Sequence, residues 1–176
     1  AIAYVNAQNG IEKHVMRYPQ IFATKAIESK LENGIKKGII WHTQGSGKTA
    51  LAFYNVRYLT DYFQKKKVIP KFYFIVDRLD LLKQASDEFE ARGLVVKTAN
   101  SRAELMEQFR TNQAQEGNSG KPEITVVNIQ RFEEDRKKVD LPAYATNLQR
   151  VFIIDEAHRG YKPEGSFLAN LLDADK

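Results

Sequence analysis

Residues 38–49 read Gly-Ile-Ile-Trp-His-Thr-Gln-Gly-Ser-Gly-Lys-Thr, a short apolar run that feeds a glycine-rich loop ending in Lys48-Thr49. The pattern predicts a strand over 38–42, a loop through Thr43, Gln44, Gly45, Ser46 and Gly47, and a helix that starts at Lys48. In that arrangement successive backbone N–H groups and the positive end of a helix dipole converge on one point, which suits a polyphosphate. Gly45 and Gly47 let the backbone wrap closely, the Lys48 ammonium can reach the β and γ phosphates, and the Thr49 hydroxyl can sit on Mg²⁺. His42 occupies the position where the full G-x-x-x-x-G-K-T pattern has its first glycine. The bland alternative is a turn between strand and helix that holds no ligand.

A second stretch far downstream weighs against that alternative. Residues 150–158 read Arg-Val-Phe-Ile-Ile-Asp-Glu-Ala-His, an apolar strand that delivers two carboxylates at its C-terminal end. In an open parallel sheet the strand C-termini line the ligand crevice, which would set this pair beside the phosphate loop. There Asp155 could hold the Mg²⁺ shell, and Glu156 could orient and deprotonate an attacking water. An Asp-Glu pair is also favoured at an ordinary helix N-terminus, which is the structural explanation it competes with.

Working outward, hydrophobic spacing and end signals predict helices over 19–31, 48–63, 79–92 and 101–110, with Gly34 and Gly93 as stops. Ser101 followed by Glu104 fits a capping box. Strands are expected over 72–76, 94–97, 124–129 and 151–154, and residues 1–18 show no clean period and read as an irregular lead-in. Residues 111–122 read as a flexible loop, 131–140 as a charged segment, 160–165 as a turn and 166–172 as the start of a helix. Leu51, Tyr54, Tyr58 and Tyr62 share a face of the second helix and read as core. Gln20 falls in the first turn of the first helix. Its amide offers a donor and an acceptor side by side, although an exposed Gln without a task is the plainer reading. Strands that alternate with helices point to an α/β fold with a mainly parallel sheet and right-handed crossovers.

Composition sets bounds on function. The 176 residues suffice for one well-buried domain. The net charge of +5, with basic clusters at 36–37, 65–67 and 136–138, permits a nucleic-acid partner without demanding one. The chain has no cysteine, so it has no disulfide framework or thiolate metal site, and a cytoplasmic setting is the natural expectation. Its apolar runs fall far short of the ~20 residues that span a bilayer. The opening Ala-Ile-Ala-Tyr-Val-Asn has neither an initiating Met nor the basic-then-apolar order of a signal peptide, and reads as the edge of an excised piece.

Taken together, residues 43–49 and Asp-Glu-Ala-His at 155–158 make the chain resemble the first RecA-like domain of superfamily 2 helicases and translocases. More narrowly it resembles the motor subunit of type I restriction enzymes. Residues 17–20 (Arg-Tyr-Pro-Gln) resemble the upstream adenine-recognition motif, 74–78 (Phe-Ile-Val-Asp-Arg) motif Ia, and 125–132 motif Ib. The resemblance covers about residues 17–172. It implies an ATP site built from Arg17, Gln20, Thr43, Gln44, Gly45, Ser46, Gly47, Lys48 and Thr49, with Gln20 reading adenine. It also implies Mg²⁺ on Thr49 and Asp155, catalysis by Lys48, Asp155 and Glu156, and His158 coupling nucleotide state to a partner lobe. Motifs Ia and Ib nominate Arg78, Gln130 and Arg131 for the DNA phosphate backbone, although an Arg near a helix start is also an ordinary surface residue.

The implied activity is ATP-driven translocation on double-stranded DNA within a complex that includes modification and specificity subunits. In such motors the nucleotide lies between two lobes, and the second supplies arginines. A strand after the Asp-Glu-Ala-His element also inserts between the two nucleotide-binding strands. The chain stops at Lys176 before that strand, so residues 17–176 are expected to be one incomplete lobe of a longer polypeptide, doubtful as a catalyst alone, with 1–16 as its lead-in. The competing readings are an RNA or DNA helicase of the same superfamily, a nucleotide-gated binding module without turnover, and a small-molecule phosphotransferase.

Overall fold

The structure is a computed structural model that describes residues 2–43, 45–110, 122–128 and 147–156. Its elements run β1 (Ile2–Ala7), β2 (Gly10–Val15), α1 (Tyr18–Glu32), α2 (Lys48–Lys65), β3 (Ile69–Val76), α3 (Leu79–Ala91), β4 (Val95–Ala99), α4 (Arg102–Arg110), β5 (Glu123–Asn128) and β6 (Leu148–Ile154). Four strands form one sheet in the order β4-β5-β3-β6, and every pairing in it is parallel. A parallel sheet flanked by helices is the α/β, RecA-like architecture expected from the alternation of periods.

The central strand β3 explains why the sheet is covered on both faces. Phe72, Phe74 and Val76 point to one side and join α2, α3 and the β1-β2 hairpin in the larger core cluster, with Phe53, Val56 and Phe89 nearly or fully buried. Tyr73 and Ile75 point to the other side and meet Leu105 and Phe109 of α4. Aromatic edges settle the packing on each face, with Phe74–Phe89 ring centres at 5.2 Å and Tyr73–Phe109 at 4.9 Å. Such residues read as a continuous apolar run because a strand buried on both sides needs no polar face.

Helix ends follow the local signals. Gly34 and Gly93 adopt φ of +75° and +84° just after α1 and α3, where a residue with a Cβ would be strained. The capping box at α4 forms with one shift: Ser101 Oγ accepts the Glu104 N–H at 3.2 Å, while the Glu104 carboxylate reaches Asn100 N–H at 2.7 Å. Tyr58 differs from its expected role. Leu51, Tyr54 and Tyr62 are buried, but Tyr58 is partly exposed and donates to Glu28 at 2.7 Å.

Two expectations are corrected. Residues 2–15, expected to be irregular, form an antiparallel hairpin in which Ile2 pairs with Val15 and Ala7 with Gly10. Ala3 and Val5 are buried in the main core, while Ile2 and Tyr4 on the other face stay exposed. Both faces carry apolar side chains, so the period of two is invisible in a hydrophobicity pattern, although Asn9-Gly10 is a hairpin signal. The strand expected at 38–42 is absent, and Ile39 and Trp41 are 89% and 91% exposed. A parallel strand exists only through a neighbour, and among the described residues none pairs with this segment. β6 lies at the edge of the described sheet, paired on one side with β3.

The loop expected at 111–122 (except Pro122), the segment 131–140, the turn 160–165 and the helix 166–172 lie outside the described residues. So do Gln44, Gln130, Arg131 and His158. Among the described residues no helix is long and apolar enough to cross a membrane.

Candidate nucleotide-binding site

The site sits where the loop before α2 meets the C-terminal ends of β3 and β6. Gly47 is the N-cap of α2 in a left-handed conformation (φ 80°, ψ 45°), with no side chain capping the helix. The first-turn N–H groups of α2 are therefore not taken by a capping side chain, as an anion site requires. Gly45 has φ +75°, so two glycines of the loop use backbone space that other residues rarely enter. Thr43 and Gly45 are exposed, and Ser46, Gly47, Lys48 and Thr49 are half-buried.

From the other side, β6 delivers its carboxylates in register. Ile154 pairs with Ile75, and the ladder extends one step further because Asp155 N–H donates to the Ile75 carbonyl at 2.9 Å. The chain then turns sharply. Glu156 has φ +48°, uncommon for a residue with a Cβ, and its N–H donates to Asp155 Oδ1 at 3.0 Å. That turn brings Glu156 Oε1 to 3.3 Å from Lys48 Nζ, with the two side chains 26% and 34% exposed. Two residues separated by more than a hundred positions in the sequence thus meet at one point.

Electrostatics mark the same point. Burial pushes the Asp155 carboxyl above its usual range; the Glu156 N–H and the Lys48 charge oppose the rise, and the Glu156 and Asp77 charges reinforce it. A buried carboxyl among like charges favours a bound cation. Asp77 at the end of β3 adds to this, because its Oδ1 is buried without a hydrogen-bond partner, as are Ser46 Oγ and His42 Nδ1 around the loop. Buried polar atoms are normally paired, so two orphans on the loop segment and a third at the end of β3 suit a polar ligand. The donor set of helix N-terminus, Lys48 and loop hydroxyls fits a polyphosphate, and Thr49 with Asp155 fits a magnesium ion shared with it. Among the described residues no group of three or more His, Cys, Asp or Glu could hold an ion by itself.

Other expected residues are placed less centrally. Arg17 is exposed at the N-cap of α1. Gln20 is not the exposed side chain that its surface position in the sequence suggested, because it is only 3% exposed and bonded to the loop. Arg78 is the N-cap of α3, exposed, and lies 3.6 Å from Asp80. Asp77 and His42 were not foreseen as site residues. The available signals were an acidic residue at the end of an apolar strand and a histidine in place of the first loop glycine.

The four-stranded parallel sheet, with a glycine-rich loop and paired carboxylates gathered at its C-terminal edge, defines the protein as a RecA-like α/β domain. Comparison with known proteins narrows this. Residues 13–175 match the family described as "Type III restriction enzyme, res subunit", and the chain belongs to that family. It is 36% identical over 148 residues to a type I restriction enzyme endonuclease subunit of Staphylococcus aureus (strain COL). It is 35% identical over 148 residues to the corresponding subunit of Staphylococcus saprophyticus. Each alignment covers 82% of this chain and 14% of the relative, so the chain spans about one seventh of those proteins. The resemblance to restriction-enzyme subunits with a helicase-type domain is thereby borne out.

Proposed function

We propose that the chain is the ATP-binding lobe of a restriction-enzyme motor that translocates on double-stranded DNA. The observation that carries this reading is the 3.3 Å approach of Lys48 to Glu156 across the mouth of the loop. The amides of Gly45, Gly47 and Lys48 cradle the phosphates, that of Ser46 leaving its 3.3 Å bond to the Thr43 carbonyl to join them, and Lys48 exchanges Glu156 for the β and γ phosphates on binding. Thr49 and Asp155 would hold Mg²⁺, which would neutralise phosphate charge. Glu156, freed from Lys48, orients the attacking water at the γ-phosphate and accepts its proton. His158 carries the nucleotide state to a second lobe, whose arginines complete the site.

The motifs that contain Arg78, Gln130 and Arg131 nominate these three for contacts to the DNA backbone, and the partners proposed are the modification and specificity subunits of a cytoplasmic restriction complex. Among the described residues β6 is an edge strand and 38–42 pairs with none, so a further strand that paired with both would satisfy their backbone groups. Support for the motor comes from the family match and from the names of the relatives. The test is phosphate release from ATP by the full polypeptide in its complex. Stimulation by duplex over single strands supports the translocase, the reverse order supports a helicase, and indifference to DNA supports a small-molecule phosphotransferase.

A further inference from the structure

The β1-β2 hairpin has two faces, and the core accounts for one of them, where Ala3 and Val5 are buried. The register defines the other. Ile2 stands opposite Val15, Tyr4 opposite Lys13 and Asn6 opposite Ile11, so these side chains share the outer face. α1 begins three residues after Val15 and adds Tyr18 and Phe22, whose rings meet edge to face with centres 4.5 Å apart. Ile2, Tyr4, Ile11, Val15, Tyr18 and Phe22 are all between 46% and 73% exposed.

Apolar side chains on both faces belong to a strand that is covered on both, as β3 is. Side chains of this size, open to this extent, expose on the order of 100 Å² each, so the six present about 600 Å² of mostly apolar surface. That lies at the upper end of what a monomer leaves uncovered. With an equal area on its cover, the contact would bury about 1,200 Å², the bottom of the range for a free-standing complex but ordinary between domains of one chain. One cation interrupts the face. Lys13 is exposed and makes no ion pair among the described residues, whereas its neighbours Glu12 and His14 lie 3.2 Å from each other. A cover laid over Lys13 has to supply a carboxylate, because a charge taken out of water needs a partner. Nucleic acid fits this face poorly, with one cation among six apolar groups.

We propose that the outer face of the hairpin, with Tyr18 and Phe22, seats another part of the same polypeptide, outside these 176 residues: an apolar element with an Asp or Glu opposite Lys13. The proposal rests on the longer polypeptide inferred above and is independent of nucleotide binding. The stretch matched is 14% of each staphylococcal relative, which leaves ample chain to supply the cover. The family match begins at residue 13, within β2, so β1 stands outside the matched domain. It joins that domain through Ala3 and Val5 and offers Ile2 and Tyr4 to the cover.

The test is hydroxyl-radical footprinting of the wild-type full polypeptide, alone and across a dilution series, read by mass spectrometry. Tyr58, 37% exposed, is the internal reference. Left open, Tyr4 and Tyr18 would be oxidised faster than Tyr58. Covered by their own polypeptide, they are expected to be oxidised more slowly than Tyr58 at every concentration. Lys13→Glu, which sets two like charges against each other, is expected to raise oxidation of Tyr4 and Tyr18 by up to about fivefold, with the Tyr58 rate unchanged as the check on folding. Tyr4→p-benzoylphenylalanine is expected to cross-link within one polypeptide, to a peptide outside residues 1–176. Tyr4 and Tyr18 oxidised faster than Tyr58 overturn the proposal. So does protection that appears only at high concentration, only with the other subunits or only with duplex DNA, which would assign the face to a second copy, a subunit or nucleic acid. A cross-link within residues 1–176, or footprints indifferent to Lys13→Glu, overturns the occupant named.

Discussion

Replacing Glu156 by Gln separates the two tasks that the geometry gives to one side chain. On the function proposed above, Glu156 holds, before nucleotide arrives, the lysine assigned to the phosphates; the pair stands at 3.3 Å with both side chains partly solvated. Two unit charges at that distance attract by roughly 1 kcal/mol in water-like surroundings, and partly exposed pairs deliver about 0–1 kcal/mol net. Removing the charge should therefore change the melting temperature by no more than about 2–4 °C and raise ATP affinity by up to about fivefold, because Lys48 no longer has to leave a partner. Hydrolysis should fall by about 10²–10⁴, the usual contribution of a positioned general base. Fluorescent-nucleotide titration gives the first effect, and DNA-stimulated phosphate release by the full polypeptide gives the second. Normal turnover in the variant removes Glu156 from the chemistry. Loss of ATP binding would instead show that the ion pair props the loop open.

Further predictions address the neighbouring parts. Lys48→Ala should reduce ATP affinity by more than the pair energy can account for, at least about tenfold, since it removes a charge-assisted contact to phosphate; equal binding in a titration refutes the loop assignment. The buried Thr24–Asn55 bond should show up in a double-mutant cycle. Thr24→Val or Asn55→Leu alone should cost about 1–3 kcal/mol by urea unfolding and the pair clearly less than their sum, whereas simple additivity would mean no coupling. Lys71 has its ammonium pKa lowered, chiefly by burial; the Glu123 charge opposes the shift, and Lys97 and Arg150 add to it. Between that lowered value and the ordinary lysine value of about 10.4, the unfolded chain binds a proton that the native state has lost, so stability gains from Lys71 as pH rises through this window. Unfolding of Lys71→Met across alkaline pH should lack that component, and a pH slope identical to wild type counts against it. Arg78→Ala should weaken duplex binding evenly across sequences and reduce the salt-dependence slope by about one, and an unchanged slope takes Arg78 off the DNA surface.

What the sequence disclosed and what it hid divide along physical lines. Helix ends were legible because caps are local: Gly34, Gly93 and Ser101 act within a turn of themselves. The strands β3 and β5 were legible because a run buried on both faces is largely apolar, and β6 because Val151–Ile154 is an unbroken apolar run. The meeting of Lys48 with Glu156 was legible only through chemistry, since nothing in the periodicity of either segment refers to the other. The segment 38–42 has the composition of a strand but not its hydrogen bonds, because a parallel strand is a property of two segments and a pattern reports one. The burial of Gln20 was hidden for the same reason. Its exposure depends on where α2 begins, which the α1 sequence does not encode.

These points bear on how the loop holds its shape. Among the described residues 38–42 pairs with no strand and brings no sheet registry to the loop, yet Gly47 is left-handed and Lys48 lies against Glu156. Within these residues the loop is fixed from its exit. Three constraints act there: the first helical bond from Leu51, the Gln20 amide on the same carbonyl, and the Lys48 ion pair with a carboxylate that β6 delivers in register with β3. The first two are neutral hydrogen bonds of about 1 kcal/mol each, and the third is a partly exposed pair worth no more. None is strong, but they act on adjacent residues from three elements, which restricts orientation as well as position. On the proposed nucleotide reading, a phosphate that replaced Glu156 as the partner of Lys48 would leave the other two constraints intact, so ligand exchange would proceed without rebuilding the loop.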